Sequence, residues 1–148
     1  MTTRARIGAI GLVVIACVVF WITLTPTTVD SGYWAEVQWV LNALHSIGVP
    51  EGFQYRELEF TANIVMFMPL GFFLGLLLGR GWALGLLLLP ALSVLIEGSQ
   101  LFFLPGRVAA MSDVVANSTG GWIGLLVALP FVLTTLPRPA PAPVPRWE

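Results

Sequence analysis

The segment WALGLLLLPALSVLIEGSQLFFL, residues 82–104, contains 23 residues and a single charged side chain, that of Glu97. A bilayer core about 30 Å thick is crossed by roughly 20 apolar helical residues, so this segment is long enough to span a membrane. The whole chain of 148 residues is 57% hydrophobic and 10% charged, whereas an ordinary soluble domain has about 25% charged residues. The sequence therefore predicts an all-α membrane protein.

Four apolar runs have the length of a transmembrane helix, and they are residues 7–24, 61–79, 82–104 and 114–136. Arginine precedes the first run, follows the second at Arg80, and follows the fourth. Because arginine is enriched on the cytoplasmic side of a membrane, this pattern places both termini in the cytoplasm. We therefore expect a four-helix transmembrane bundle that crosses the cell membrane four times.

The predicted crossings divide the chain into five parts. Residues 1–6 form a cytoplasmic N terminus and residues 7–24 the first helix; residues 25–60 are extracytoplasmic, residues 61–136 form a core of three helices, and residues 137–148 form a proline-rich cytoplasmic tail. Proline at nearly every second position of the tail is incompatible with a helix, so we expect the tail to be extended.

The extracytoplasmic segment contains a candidate amphipathic helix. Apolar side chains recur every three or four residues from Trp34 to Leu44, with Ser31 as a candidate N-cap. His45 lies on the opposite, polar side, where we expect it to contact solvent. Such a helix, rich in tryptophan, is typical of the outer membrane interface. The alternative is a lid that packs on the bundle and binds no ligand of its own.

Composition excludes several classes of function. The net charge is −1, which gives no electrostatic basis for binding nucleic acid. One cysteine and one histidine cannot build a disulfide framework, a multi-histidine zinc site or a histidine-dependent triad within one subunit. No glycine-rich phosphate loop follows a strand pattern. We therefore expect no cofactor and no resident metal.

The acidic and amide side chains within the last three predicted crossings, or directly before them, lie near the same end of their helices, and they are Asn63, Glu97, Gln100, Asp113 and Asn117. With the topology above, all of them fall in the outer leaflet, within about two helical turns of the surface. An ionised carboxylate in a membrane costs several kcal/mol unless it is paired. Arg107, in the connection before the fourth crossing, is the natural counter-ion for Glu97 or Asp113.

Glycines recur at a spacing that favours close helix packing. Gly71 and Gly75 lie four residues apart in the second crossing, as do Gly120 and Gly124 in the fourth. Small residues at this spacing let two membrane helices approach closely. We expect these glycines to pack helices within one chain, with a dimer through Gly71 as the alternative.

Three blocks of the core resemble the VanZ-like proteins. These blocks are ANIVMFMPLG at residues 62–71, SVLIEGSQ at residues 93–100 and PGRVAAMSDVVANSTGG at residues 105–121. The resemblance covers residues 58–124, with the order and spacing of the blocks kept. Many members carry further acidic residues in the last connection, where this chain has Ala110 and Ser112. A role that needs a second or third carboxylate in that connection is therefore not expected here.

The resemblance implies a role at the cell envelope. The founding member of the family is associated with resistance to teicoplanin, a lipid-bearing glycopeptide that attacks cell-wall precursors on the outer face of the membrane. We therefore expect a protein that binds or alters a membrane lipid, a lipid-linked envelope precursor or a lipoglycopeptide. The first hypothesis is the non-enzymatic one, in which the protein binds or excludes such an amphiphile. Arg107 would hold an anionic head group. Asn63, Gln100 and Asn117 would orient it.

Two alternatives stay open from the sequence. An intramembrane enzyme would use Glu97 as general acid or base, with Asp113 as the partner acid or as a ligand of a divalent metal such as Mg²⁺. A structural or assembly protein would use the same polar residues only to hold its helices together. Glu97→Gln separates the first alternative from simple binding, because the amide cannot transfer a proton.

Overall fold

The computed structural model describes residues 1–24, 33–103 and 110–134, and within these ranges the chain forms helices and no strand. The α-helices are α1 (Thr3–Leu24), α2 (Trp34–Ser46), α3 (Tyr55–Leu78), α4 (Gly85–Phe103) and α5 (Met111–Leu133). A 3-10 helix, Gly79–Leu84, joins α3 to α4. The predicted all-α class is confirmed.

Three helical stretches of the described chain are long and apolar enough to cross a membrane, and they are Thr3–Thr23, Tyr55–Phe103 and Met111–Leu133. The second stretch contains both α3 and α4. At the end of α3, Gly79 has a φ of 57°, a backbone conformation that glycine adopts without strain. The chain changes direction there, so α3 and α4 are separate helices.

Helices α3 and α5 run parallel and in close contact. Gly120 of α5 packs against the carbonyl of Ile64, and Gly124 packs against the carbonyl of Met68. Because the residue numbers rise together along both helices, the helices point the same way. A Cβ atom at Gly120 or Gly124 would overlap the main chain of α3, so this close approach requires glycine at both positions.

The glycines of α3 lie at the same contact. Gly71 packs against the carbonyl of Gly121, and Gly75 packs against Leu125 and Ala128. A Cβ atom built at Gly75 would lie 2.8 Å from the Cβ of Ala128, which is closer than two such atoms can approach. These contacts join two helices of one chain.

Helix α4 runs in the opposite direction to α5. The indole Nε1–H of Trp122 donates to the Leu86 carbonyl at 3.1 Å, and the Asn117 amide donates to the Ser93 hydroxyl at 3.1 Å. The α4 residue numbers rise while those of α5 fall, so the two helices are antiparallel. Since α3 is parallel to α5, α4 is also antiparallel to α3.

Helix α1 completes the bundle on the side of α3 and α4. Gly8 packs against the main chain at Leu77, and Gly11 packs against the Phe73 ring. The residue numbers of α3 therefore fall as those of α1 rise. Helix α1 is therefore antiparallel to α3. The buried core between these helices consists of Val19, Phe67, Leu70, Leu89, Ile96 and Leu125.

Several helix bounds differ from those expected from hydrophobicity. Helix α3 begins at Tyr55, six residues before the expected start at Thr61, because Gln54 and Glu57 form a capping box in which the Gln54 N–H donates to the Glu57 carboxylate at 3.0 Å. The helix thus includes six residues before its apolar run, and three of them are charged. Helix α4 begins at Gly85 because the 3-10 helix occupies the preceding residues.

Helix α5 likewise begins early, at Met111, and is described to Leu133. The expected start of this crossing was Val114; its expected end at Leu136 and the proline-rich tail lie outside the described residues. Ala110 is the N-cap, and Asp113 lies in the first turn, where a carboxylate interacts favourably with the helix dipole.

The predicted helix between the first two crossings is present as α2. Its N-cap is Tyr33, which makes no side-chain capping bond, and the candidate cap Ser31 lies outside the described residues. The expectation that His45 only contacts solvent is wrong. The His45 ring is partly buried and its Nε2–H donates to the Phe53 carbonyl at 2.9 Å, which ties the end of α2 to the connection before α3.

Candidate functional site

The described members of the predicted polar cluster lie at one end of the bundle, and they are Asn63, Glu97, Gln100, Asp113 and Asn117. At this end α1 and α4 finish while α3 and α5 begin. Antiparallel packing brings these helix ends together even though the residues lie far apart in the sequence. Arg107, the sixth predicted member, lies outside the described residues.

Glu97 links the end of α4 to the beginning of α5. Its side chain is 7% exposed, and its Oε2 accepts a hydrogen bond from the Ala110 N–H at 3.2 Å. Ala110 is the N-cap of α5 and has no capping side chain of its own. The first N–H groups of a helix have no partner within that helix. The Glu97 carboxyl oxygen therefore provides a partner for an N–H group at the start of α5.

Gln100 links α4 to α1. It is almost fully buried, and its Nε2 donates to the Thr23 carbonyl at 2.7 Å. Thr23 is also buried, and its hydroxyl donates to the Val19 carbonyl one turn earlier at 2.8 Å. The Gln100 amide thus satisfies a carbonyl in the last turn of α1. Sequence reasoning missed Thr23, because a threonine near the end of an apolar run carries no signal of an interhelical partner.

Asn117 and its neighbours place further polar atoms in the bundle interior. Asn117 is 3% exposed and Ser118 is 4% exposed, while Ser93, which accepts the Asn117 amide hydrogen bond, is fully buried. Among the described residues, neither Asn117 Oδ1 nor Ser118 Oγ has a hydrogen-bond partner. Buried polar side chains normally have a partner. The sequence reasoning did not single out Ser118, although it directly follows Asn117.

Asp113 lines a cleft at the same end of the bundle, and we call this cleft the entrance cleft. Its volume is about 430 Å³, and it is lined by Phe53, Arg56, Glu57, Glu59, Phe60, Thr61, Ser112 and Asp113. The lining comes from the beginnings of α3 and α5 and from the connection before α3. Three carboxylates, one guanidinium and two hydroxyls therefore surround a space large enough for a small polar group.

Asn63 follows this lining by two residues on α3 and is half-buried. The site thus has two layers. The entrance cleft is open and charged, whereas Glu97, Gln100 and Asn117 lie in the enclosed interior. In the described part of the chain, no three histidine, cysteine or acidic side chains are grouped closely enough to hold a metal ion. The described residues of the site can therefore form hydrogen bonds and bind charged groups, and Glu97 adds one enclosed carboxyl group.

Comparison with protein-family models matches residues 12–134 to the family described as VanZ/LLP1. The match begins within α1 and continues through α5, so it includes the whole polar cluster and Arg107. A search of the curated proteins and a search of the solved structures each gave no match.

Proposed function

Because this chain belongs to the VanZ/LLP1 family and its helices suit a membrane, we propose that it binds or alters a lipid-linked cell-envelope molecule or a lipoglycopeptide at the outer leaflet of the cell membrane. The family match covers most of the chain and confirms the resemblance seen in the three sequence blocks. A role like that of the founding member, in resistance to teicoplanin, is part of the proposal. The proposal also includes four membrane crossings, with both termini in the cytoplasm.

The proposal depends most on the set of enclosed polar side chains at the same end of the bundle as the entrance cleft. Glu97, Gln100 and Asn117 are each at least nine-tenths buried at the end of the bundle where this cleft opens. Polar and ionisable groups inside a membrane are expensive, and they usually face a bundle interior or a ligand pathway. A polar site at the outer end of the bundle is in the right place to meet the head group of an amphiphile.

In this proposal, each member of the site has a distinct part. Arg107 holds an anionic group of the ligand, because guanidinium and phosphate form paired hydrogen bonds. Asn63 and Asn117 orient the head group. The side-chain oxygen of Asn117, Oδ1, supports this role, since it is buried and has no hydrogen-bond partner among the described residues. Gln100 contributes through its carbonyl oxygen, because its amide group already donates to Thr23.

Growth inhibition by teicoplanin tests the proposal. A sensitive host would express the wild type, Glu97→Gln, Arg107→Ala or the control Arg80→Ala, which changes an exposed arginine in the 3-10 helix at the opposite end of the bundle. We expect protection by the wild type and the control, and loss of protection with Arg107→Ala at equal membrane abundance. Absence of protection by the wild type would refute the resistance role in that host.

Glu97→Gln separates binding from catalysis in the same experiment. Binding alone tolerates the amide, because its oxygen can still accept the Ala110 N–H. An intramembrane enzyme with Glu97 as general acid or base loses its activity although protein abundance is unchanged. Full protection by this variant therefore argues against the enzymatic alternative.

A structural role is the second candidate function, and three interhelical hydrogen bonds favour it. Glu97 binds Ala110, Gln100 binds Thr23, and Asn117 binds Ser93, so the polar cluster connects α4 with both α1 and α5. If locking the helices is its only role, substitutions in the cluster lower the amount of folded protein in parallel with protection. Loss of protection at unchanged abundance would contradict that reading.

A further inference from the structure

An apolar groove follows the contact between α3 and α5 on the outside of the bundle, and we call it the seam groove. Its volume is about 400 Å³, and no polar surface lines it. The lining residues are Val65, Met68, Pro69, Phe72, Phe73, Gly124 and Val127. Because Gly124 has no side chain and packs directly against the main chain of α3, the floor of the groove is formed by backbone on the α5 side.

The seam groove continues the entrance cleft along one face of α3. Positions 57, 61, 65, 68 and 72 are separated by three or four residues, so their side chains share a helix face. Glu57 and Thr61 line the entrance cleft, whereas Val65, Met68 and Phe72 line the seam groove. A single surface thus changes from polar to apolar as α3 proceeds away from the polar end.

The apolar part of this surface fits within one leaflet. From Val65 to Phe72 there are seven helical steps, which cover roughly 10 Å at 1.5 Å per residue. Half of a bilayer core about 30 Å thick is about 15 Å. At the far end, the Phe72 ring makes edge contacts with the rings of Phe73 and Phe131, at centroid distances of 5.3 and 5.8 Å. Phe72 and Phe73 are the last residues of α3 that line the seam groove, so these ring contacts lie at its far end.

The lining of the entrance cleft indicates the head group. Glu57, Glu59 and Asp113 supply carboxylate acceptors, and Arg56 is the one described cation among the lining residues. Hydroxyls of Thr61 and Ser112 add groups that both donate and accept. An acceptor-rich cleft is complementary to a head group that carries several hydrogen-bond donors, such as the hydroxyl groups of a sugar.

We propose that the α3–α5 seam binds an outer-leaflet glycolipid, with its sugar head group in the entrance cleft and one of its chains along the seam groove. This inference rests on the proposed function and names the class of its ligand. Both ends of the surface are needed for recognition. A plain hydrocarbon contacts the surrounding lipid as favourably as it contacts this groove. A free sugar has no apolar chain to place in the seam groove, so it binds only through the entrance cleft.

Site-specific photo-crosslinking tests the proposal with the full chain in lipid nanodiscs. A photoreactive phenylalanine analogue replaces Val127 in the seam groove, Phe60 in the entrance cleft, or Val94 on α4. Val127 is 50% exposed and Val94 is 55% exposed, so the two aliphatic positions are matched, but Val94 does not line the groove. The probes are a glycosyl diacylglycerol and a phosphatidylcholine with the same acyl chains.

We expect the glycosyl lipid to label Val127 about tenfold more than Val94, the ratio that corresponds to 1.4 kcal/mol, and phosphatidylcholine to label both equally. Asp113→Asn should reduce labelling of Val127 by the glycosyl lipid and leave labelling by phosphatidylcholine unchanged. Equal labelling of Val127 and Val94 by both lipids would show that ordinary bilayer lipid fills the groove, and would overturn the proposal.

The cleft position distinguishes this inference from the proposed function. If the glycosyl lipid labels position 60 but not position 127, the head group is bound while the chain lies elsewhere, so the seam-groove inference fails and the proposed function survives. If the glycosyl lipid labels neither position above the Val94 level, the inference fails together with the idea that a lipid head group enters the entrance cleft.

Discussion

Gly120→Ala tests whether the parallel contact between α3 and α5 holds the bundle together. A Cβ atom at this position would overlap the carbonyl of Ile64 in α3. Because the obstacle is main chain rather than a flexible side chain, it cannot rotate away. Helix α5 must therefore move outward along the whole contact that positions Asn117 and the entrance cleft.

Gly98→Ala is the matched control, since no atom lies within 4 Å of the place where its Cβ would be built. Both glycines are inside α-helices, so both variants gain about 1 kcal/mol from the higher helix propensity of alanine. Inserting a methyl group into a filled contact costs about 1–3 kcal/mol. The gain cancels in the comparison, and Gly120→Ala should be less stable than Gly98→Ala by about 1–3 kcal/mol.

Unfolding by sodium dodecyl sulfate measures this difference in detergent micelles, with the fluorescence of the six tryptophans and the helical circular dichroism as independent signals. The midpoint for Gly98→Ala should equal or exceed that of the wild type, and the midpoint for Gly120→Ala should fall below that of Gly98→Ala. If the two variants unfold at the same midpoint, the α3–α5 contact is not as close as described and the reasoning from it fails.

Three further substitutions have defined outcomes. Gly79→Ala should lower the thermal unfolding midpoint in detergent, because a φ of 57° strains a residue that has a Cβ but does not strain glycine. Gln100→Leu should destabilise the bundle through the lost hydrogen bond to Thr23, by about 0.6 kcal/mol, the average for an interhelical hydrogen bond in a membrane protein. A larger loss of stability in an unfolding titration would indicate that Gln100 has further partners. Glu97→Ala should reduce the folded fraction more than Glu97→Gln does, because the amide oxygen of glutamine still accepts the Ala110 N–H. Gel filtration in detergent measures the folded fraction, and an equal decrease for both variants would contradict this account.

Hydrophobicity predicts the helices of this protein better than it predicts their ends. An apolar run must be buried in lipid or protein, so the four long runs identify α1, α3, α4 and α5. The start of α3 at Tyr55 depends instead on the capping box of Gln54 and Glu57, which adds six residues, three of them charged, before the apolar run. The 3-10 helix after Gly79 depends on one positive φ. Such local features carry little weight in a hydrophobicity window.

The polar cluster could be anticipated because alternating helix directions bring particular helix ends together. That reasoning places Glu97 and Asp113 at one end, but it cannot say which groups pair. Glu97 binds a main-chain N–H and Gln100 binds a main-chain carbonyl, and neither partner leaves a trace in the sequence. Thr23 and Ser118 were missed for the same reason, since small hydroxyl side chains are common in apolar membrane helices.

The pairing within the polar cluster also bears on why the cluster exists. Locking two helices requires only that each donor meets an acceptor, as Asn117 does with Ser93. The same level of the bundle also buries Asn117 Oδ1 and Ser118 Oγ, which have no partner among the described residues, and each such group costs about 1–3 kcal/mol. A cluster that served stability alone would gain from apolar residues at these positions. We therefore infer that Asn117 Oδ1 and Ser118 Oγ are available to a polar molecule, and that Ser118→Ala should raise the unfolding midpoint of the free protein; an unchanged or lower midpoint would contradict this inference.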